Sequence, residues 1–176
     1  ISVVGYVPQN PDALLFADTV REELAFTRAN HGLADATRDL VLLEQLGLAH
    51  YAERYPRDLS VGERQRVALA AVLAGQPEII LLDEPTRGLD YGQKQALMRY
   101  LTEAKAQGCT VLLSTHDVEL AAASVDRVVI LGDGEVVVDG PVRQVMTHSM
   151  VFASQINKLL RDDRFLTVDD VVRALT

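Results

Sequence analysis

The chain has 176 residues, of which 48% are hydrophobic and 24% charged, enough to bury one substantial core. Seventeen Lys and Arg stand against 25 Asp and Glu, a net charge of −8. This argues against a nucleic-acid partner, because binding a polyanion needs a basic stripe and the chain has no Lys/Arg run. No apolar run approaches the roughly 20 residues that span a bilayer, and the opening has no signal-peptide pattern. A single cysteine, Cys109, offers neither a disulfide framework nor a metal cluster and suits a reducing cytosol.

In chain order, "ISVVGYVPQ" reads as a strand and is followed by a loop with two prolines, "PQNPDALLFADT". Two helical stretches come next, "TVREELAFTRANHG" and "DATRDLVLLEQLGL", the second ending near Gly47. Residues 48–58 are polar and irregular. Beyond residue 60 the pattern predicts a helix over 61–74, a strand over 78–83, a helix over 91–107 and a strand over 109–115. A short helix then precedes a strand over 126–131, and "GDG" turns the chain into "EVVVDG" as a hairpin. Apolar strands separated by helices imply an α/β fold with a mostly parallel sheet. The expected division is a strand and loop over 1–17, a helical insertion over 18–75, the rest of the α/β core over 76–140 and a helical extension over 141–176. Within that extension, "MVFASQINKLL" has helical spacing and "TVDDVVRAL" opens on a capping-box pair, Thr167 and Asp170.

Four stretches carry chemistry. In "LSVGERQR" Ser60 and Glu63 fit the capping box S-x-x-E, and Gly62 allows close approach to the backbone. The helix start they fix is an anion site, through its free N–H groups and its dipole. In "EIILLDEPTRGLD" an apolar strand ends in adjacent carboxylates, Asp83 and Glu84. Ligands collect at the carboxyl ends of parallel strands. Asp83 there suits Mg²⁺ and Glu84 suits orienting or deprotonating a water. In "TVLLSTHD" a second strand ends in Ser114, Thr115 and His116, where a histidine can donate to a phosphate oxygen or serve as a helix cap. Gln9 follows the first strand, and a neutral amide can touch both a metal-bound water and a moving loop. His31, His50 and His148 take no role.

Together these stretches resemble the ATP-binding-cassette ATPases over about residues 1–140. "LSVGERQRVALA" is similar to the signature motif, "IILLDEP" to the Walker B strand, "TRGLD" to the loop after it, "STHD" to the switch histidine and "YVPQNPDALLF" to the glutamine loop. Val61 stands where the family usually has a glycine. Arg87 and "QNPDALLFADTV" bring the chain closest to energy-coupling-factor importer ATPases. The resemblance implies a partial P-loop NTPase core of RecA-like type with an inserted helical subdomain, and ATP and Mg²⁺ as ligands.

By the same resemblance Glu84 is the catalytic base, His116 the γ-phosphate contact and Asp83 a metal partner with Gln9. Ser60, Gly62, Glu63, Gln9 and Asp90 are nucleotide-binding. The implied partners are a second cassette, docked head to tail, and transmembrane subunits at the cytoplasmic face of the membrane. The implied function is coupling ATP hydrolysis to solute import. The loop G-x-x-x-x-G-K-[ST] is missing, and none of Lys94, Lys105 or Lys158 follows a glycine. The chain is therefore expected to be the C-terminal portion of a cassette, neither binding ATP tightly nor hydrolysing it alone. The rival readings are a non-catalytic module that completes a partner's site and a soluble cassette ATPase of DNA repair or translation.

Overall fold

The computed structural model describes residues 3–149 and 151–175; Ile1, Ser2 and Met150, which the strand and helix expectations included, lie outside the described residues. The chain divides into two compact units, Ile1–Thr115 and His116–Thr176.

The first unit holds a three-stranded sheet in the order β1 (Val4–Val7), β2 (Ile79–Asp83), β3 (Thr110–Ser114). All pairings are parallel, with Val7 opposite Leu82 and Asp83 opposite Ser114. Helices α1 (Val20–Asn30), α2 (Thr37–Gln45), α3 (Val61–Ala74) and α4 (Tyr91–Ala106) complete the unit. The polar stretch 48–58 contains two short 3-10 turns, Ala49–Tyr51 and Pro56–Asp58. A third, Pro11–Ala13, follows Gln9 and is capped by the Asn10 side chain.

Helix α3 is the hub of this unit. Val67, Ala68 and Ala70 are fully buried, as are Leu69, Leu73 and Ala74 to within a few per cent. A helix apolar nearly all round has to lie inside the core. It packs with Leu24 of α1, Leu42 and Leu43 of α2, Leu82 of β2 and Leu97 of α4 in one cluster, and each buried leucine contributes about 1.5–3 kcal/mol. Its start is fixed by the capping box that the sequence announces.

The second unit contains the antiparallel pair β4 (Arg127–Gly132) and β5 (Glu135–Pro141), with α5 (Val118–Ser124), α6 (Val142–Thr147), α7 (Gln155–Leu160) and α8 (Val168–Leu175). The hairpin turns at Asp133 and Gly134, both at positive φ (49° and 82°), the backbone of the two-residue turn that matches strand twist. Ala122, Met146 and Leu166 form a separate small core. The buried Ser154 hydroxyl donates to the Leu166 carbonyl (2.5 Å) and accepts from the Asn157 N–H, capping α7. Thr167 and Asp170 form their expected reciprocal cap at α8.

Candidate nucleotide-facing sites

Two clusters in the first unit bring the sequence candidates together. The first lies at the carboxyl edge of the sheet. The Ser114 hydroxyl donates to Asp83 Oδ1 at 2.7 Å, which orients that carboxylate from the neighbouring strand. The Glu84 N–H donates to the Ser114 carbonyl at 2.9 Å, adding one rung beyond the strand. There the ladder stops. Glu84 adopts a left-handed backbone, φ 48°, Pro85 has no N–H to give, and the Arg87 N–H turns back to the Glu84 carbonyl at 3.2 Å.

A left-handed non-glycine residue costs about 1–2 kcal/mol, and such strain gathers at functional positions. The reversal lifts Glu84 out of the strand at the sheet edge. Gln9, exposed, follows β1 by two residues on the same edge, because Val7 is in register with Leu82. Asp83 and Glu84 stand together at that edge, where an Asp can hold a hard cation and a Glu can orient water.

The second cluster is the N-terminal turn of α3. Ser60 is exposed and its Oγ accepts from the Glu63 N–H (3.4 Å), while Glu63 Oε2 accepts from the Ser60 N–H (2.7 Å). The Glu63 carboxylate also accepts from the Tyr51 hydroxyl. That bond, then the bonds to Ser60 and the charge of Arg66, hold its pKa down to about 2. The same contact pushes the Tyr51 hydroxyl up. Glu63 is therefore already committed to shaping the turn. The Ser60 O–H and the first N–H groups of the helix are the donors left for an anion.

Gly62 packs against the loop after β2. A Cβ placed on it would stand 2.4 Å from the Gly88 carbonyl oxygen, so the close approach inferred from the sequence is made by this chain's own backbone. Gly88 itself sits at φ 74°. Asp90, two residues on, caps α4 in a box with Gln93: its Oδ1 accepts from the Gln93 N–H (2.9 Å), and Gln93 Oε1 accepts from the Asp90 N–H (3.0 Å). The signature-like turn and the loop 86–90 thus form one surface.

His116 opens the second unit. The cap of α5 is supplied by its neighbour Asp117, whose carboxylate accepts from the Leu120 N–H at 3.0 Å. Sequence reasoning gave no role to Ser114, Tyr51 and Gly88. The one available signal was for Ser114, whose place at a strand end puts it beside Asp83 once the strands are in register.

A family profile described as "ABC transporter" matches residues 2–87. A putative ABC transporter ATP-binding protein of Streptomyces avermitilis is 47% identical over 173 residues, 98% of this chain and 30% of that protein. The energy-coupling factor transporter ATP-binding protein EcfA of Methanosphaera stadtmanae is 40% identical over 151 residues, 84% of this chain and 54% of that one. Among solved structures, a dimeric ATP-binding cassette in a post-hydrolysis state bound to ADP and Pi is 33% identical, with a TM-score of 0.69, over 80% of this chain and 63% of that one. The chain thus spans between about a third and a half of the length of these curated relatives. Sharing sequence along nearly its whole length with one transporter ATP-binding protein, and its fold with a nucleotide-bound cassette, this chain belongs to the ABC transporter ATPase family and is homologous to the energy-coupling factor ATPases.

Proposed function

We propose that these residues serve two different ATP sites of a cassette dimer that couples ATP hydrolysis to solute import. The observation that carries this reading is that two clusters suited to phosphate chemistry occur in a chain without a phosphate loop. One acidic row lies at the sheet edge, one donor turn lies at the start of α3, and no phosphate loop lies among the 176 residues. The sheet edge would serve ATP whose phosphates are cradled elsewhere. Glu84 there orients or deprotonates the attacking water and Gln9 contacts the metal's water shell; the γ-phosphate contact of His116 rests on the family resemblance of its motif alone. The turn at Ser60, Gly62 and Glu63, with Asp90 beside it, would face ATP held by a partner cassette docked head to tail. Ser60 and the helix N–H groups supply donors to its γ-phosphate.

The donor set at the sheet edge fits Mg²⁺. Asp83 is a hard oxygen ligand oriented by Ser114, and no group of three or more His, Cys, Asp or Glu that could hold a metal exists among the described residues. Mg²⁺ uses one or two carboxylates and takes its remaining ligands from water and phosphate. When bound it would neutralise charge gathering on the phosphate oxygens. The segment after Gln9 and the helices over 18–47 would pass closure to membrane subunits, placing the protein on the cytoplasmic face of the membrane. In support, one relative is an energy-coupling factor transporter protein and one structural neighbour is a nucleotide-bound dimer. Among the described residues no helix is long and apolar enough to cross a membrane.

Calorimetry with Mg-ATP up to millimolar concentration on the 176-residue chain tests the split-site reading, and no detectable heat is expected. Micromolar binding would overturn it, because another group would then be holding the phosphates. Joined to a phosphate-loop segment from a relative, the chain should turn over ATP, and Glu84→Gln should remove that turnover while leaving binding intact. Failure of the joined protein to hydrolyse ATP would favour a non-catalytic module that completes a partner's site.

A further inference from the structure

Within the first unit, one side chain touches both clusters' supporting segments. Arg64, in the first turn of α3, places its Nε 2.8 Å from Asp12 Oδ1, in the short 3-10 turn three residues beyond Gln9. Its Nη1 donates to the Leu59 carbonyl at 2.5 Å, immediately before the cap residue Ser60. The segment after that turn has its own braces: Glu23 Oε1 accepts from the Phe16 and Ala17 N–H groups (2.5 and 2.7 Å), and Arg57 donates to the Leu15 carbonyl (3.4 Å). Neither of these reaches α3. The Asp12–Arg64 pair does.

We infer that Arg64 is a positioning residue that ties the segment following Gln9 to the signature turn, so that displacement of either moves the other. Resting on the function proposed above, this makes the pair one link inside one chain between its two half-sites, beside the packing of Gly62 on Gly88. Its make-up suits a linkage better than a source of stability. The Arg64 side chain is 20% exposed and that of Asp12 47% exposed, and half-exposed ion pairs add little to folding. One hydrogen bond, to the Leu59 carbonyl, and one close ion pair, to Asp12, nevertheless join the two segments through a single planar guanidinium.

Amide hydrogen exchange on the 176-residue chain tests the link. Two reporters lie on opposite sides of the pair: the Leu14 N–H, bonded to the Pro11 carbonyl at 3.0 Å, and the Arg64 N–H, bonded to the Ser60 carbonyl at 2.9 Å. Arg64→Gln should speed exchange at Leu14 by about two- to fivefold, and Asp12→Asn should do the same at position 64, with the β2 amides unchanged. Arg64→Lys, which keeps a charge for Asp12, should return Leu14 towards its native rate. The double substitution should add nothing at Leu14 beyond either single change.

Effects confined to the mutated segment, additive effects, or equal behaviour of Lys and Gln at position 64 would overturn the inference. If Arg64→Gln loosens the whole unit, β2 amides included, Asp12→Asn at its exposed position decides the matter alone. No nucleotide enters the readout. A chain that never meets ATP can still show the reciprocity, and a chain that hydrolyses ATP without it refutes the link only.

Discussion

Replacing Gly62 by alanine separates a steric requirement from a backbone preference. Gly62 is the second residue of α3, where exchanging glycine for alanine gains about 0.5–1 kcal/mol of helix propensity. Its added methyl carbon would lie 2.4 Å from the Gly88 oxygen, 3.2 Å from the Gly88 carbon and 3.6 Å from Leu89 Cδ2. The first two are backbone atoms, which cannot swing aside as the end of a side chain can. Overpacking of this kind costs typically about 1–3 kcal/mol, so the clash should exceed the propensity gain and leave a net loss of about 1–2 kcal/mol.

Gly92 is the matching control. It is the second residue of α4, also behind a capping box, and a Cβ there would meet only Asp90 Oδ1 at an ordinary 3.5 Å. Gly92→Ala should therefore gain up to about 1 kcal/mol. Urea denaturation followed by circular dichroism reads both variants, and with m-values of about 1–3 kcal/mol per molar the midpoints should move apart visibly and in opposite directions. Equal midpoints for the two variants would sink the steric argument and leave the glycine at 62 unexplained by its own chain.

Ser60→Ala removes the cap acceptor of α3 and should lower stability by about 0.5–2 kcal/mol in the same denaturation assay. Glu84→Gly should be about 1 kcal/mol more stable than Glu84→Ala. Both lack the carboxylate, but only alanine keeps the cost of φ 48°. The Glu63 carboxyl, held at about 2 against an ordinary 4.5, makes a stabilising contribution that is fully present above pH 4.5 and is lost as pH falls from there towards 2. Tyr51→Phe removes the largest cause of that depression, so an NMR titration of the Glu63 carboxyl should show its midpoint rise. An unmoved midpoint would mean that the Tyr51 bond does not form in solution.

What the sequence disclosed was mostly local. The S-x-x-E and T-x-x-D patterns each mark a helix start, because both partners of the cap lie within one turn of chain. The apolar runs before Asp83 and Ser114 mark β2 and β3 for the same reason, and Asp-Gly marks the hairpin. Local pattern misleads where a tertiary bond intervenes. Apolar spacing extends a helix back through Val151 and Phe152, yet α7 begins only at Gln155. Ser154 is drawn in to bond the Leu166 carbonyl and caps the helix there. The polar stretch 48–58 reads as irregular, yet it carries Tyr51, whose hydroxyl is the largest cause of the lowered Glu63 pKa.

The candidate site follows the same division. Ser60, Gly62, Asp83 and Glu84 could be named from their own neighbourhoods. The groups that hold them could not, because Ser114 lies 31 residues from Asp83 and Gly88 meets Gly62 only once the loop after β2 has folded onto α3. Glu63 shows why the difference matters. Its sequence neighbourhood makes it a candidate for the nucleotide, whereas its bonds to Ser60 and Tyr51 show a carboxylate spent on preparing the turn. A phosphate arriving at Ser60 would meet that negative charge along with the helix dipole.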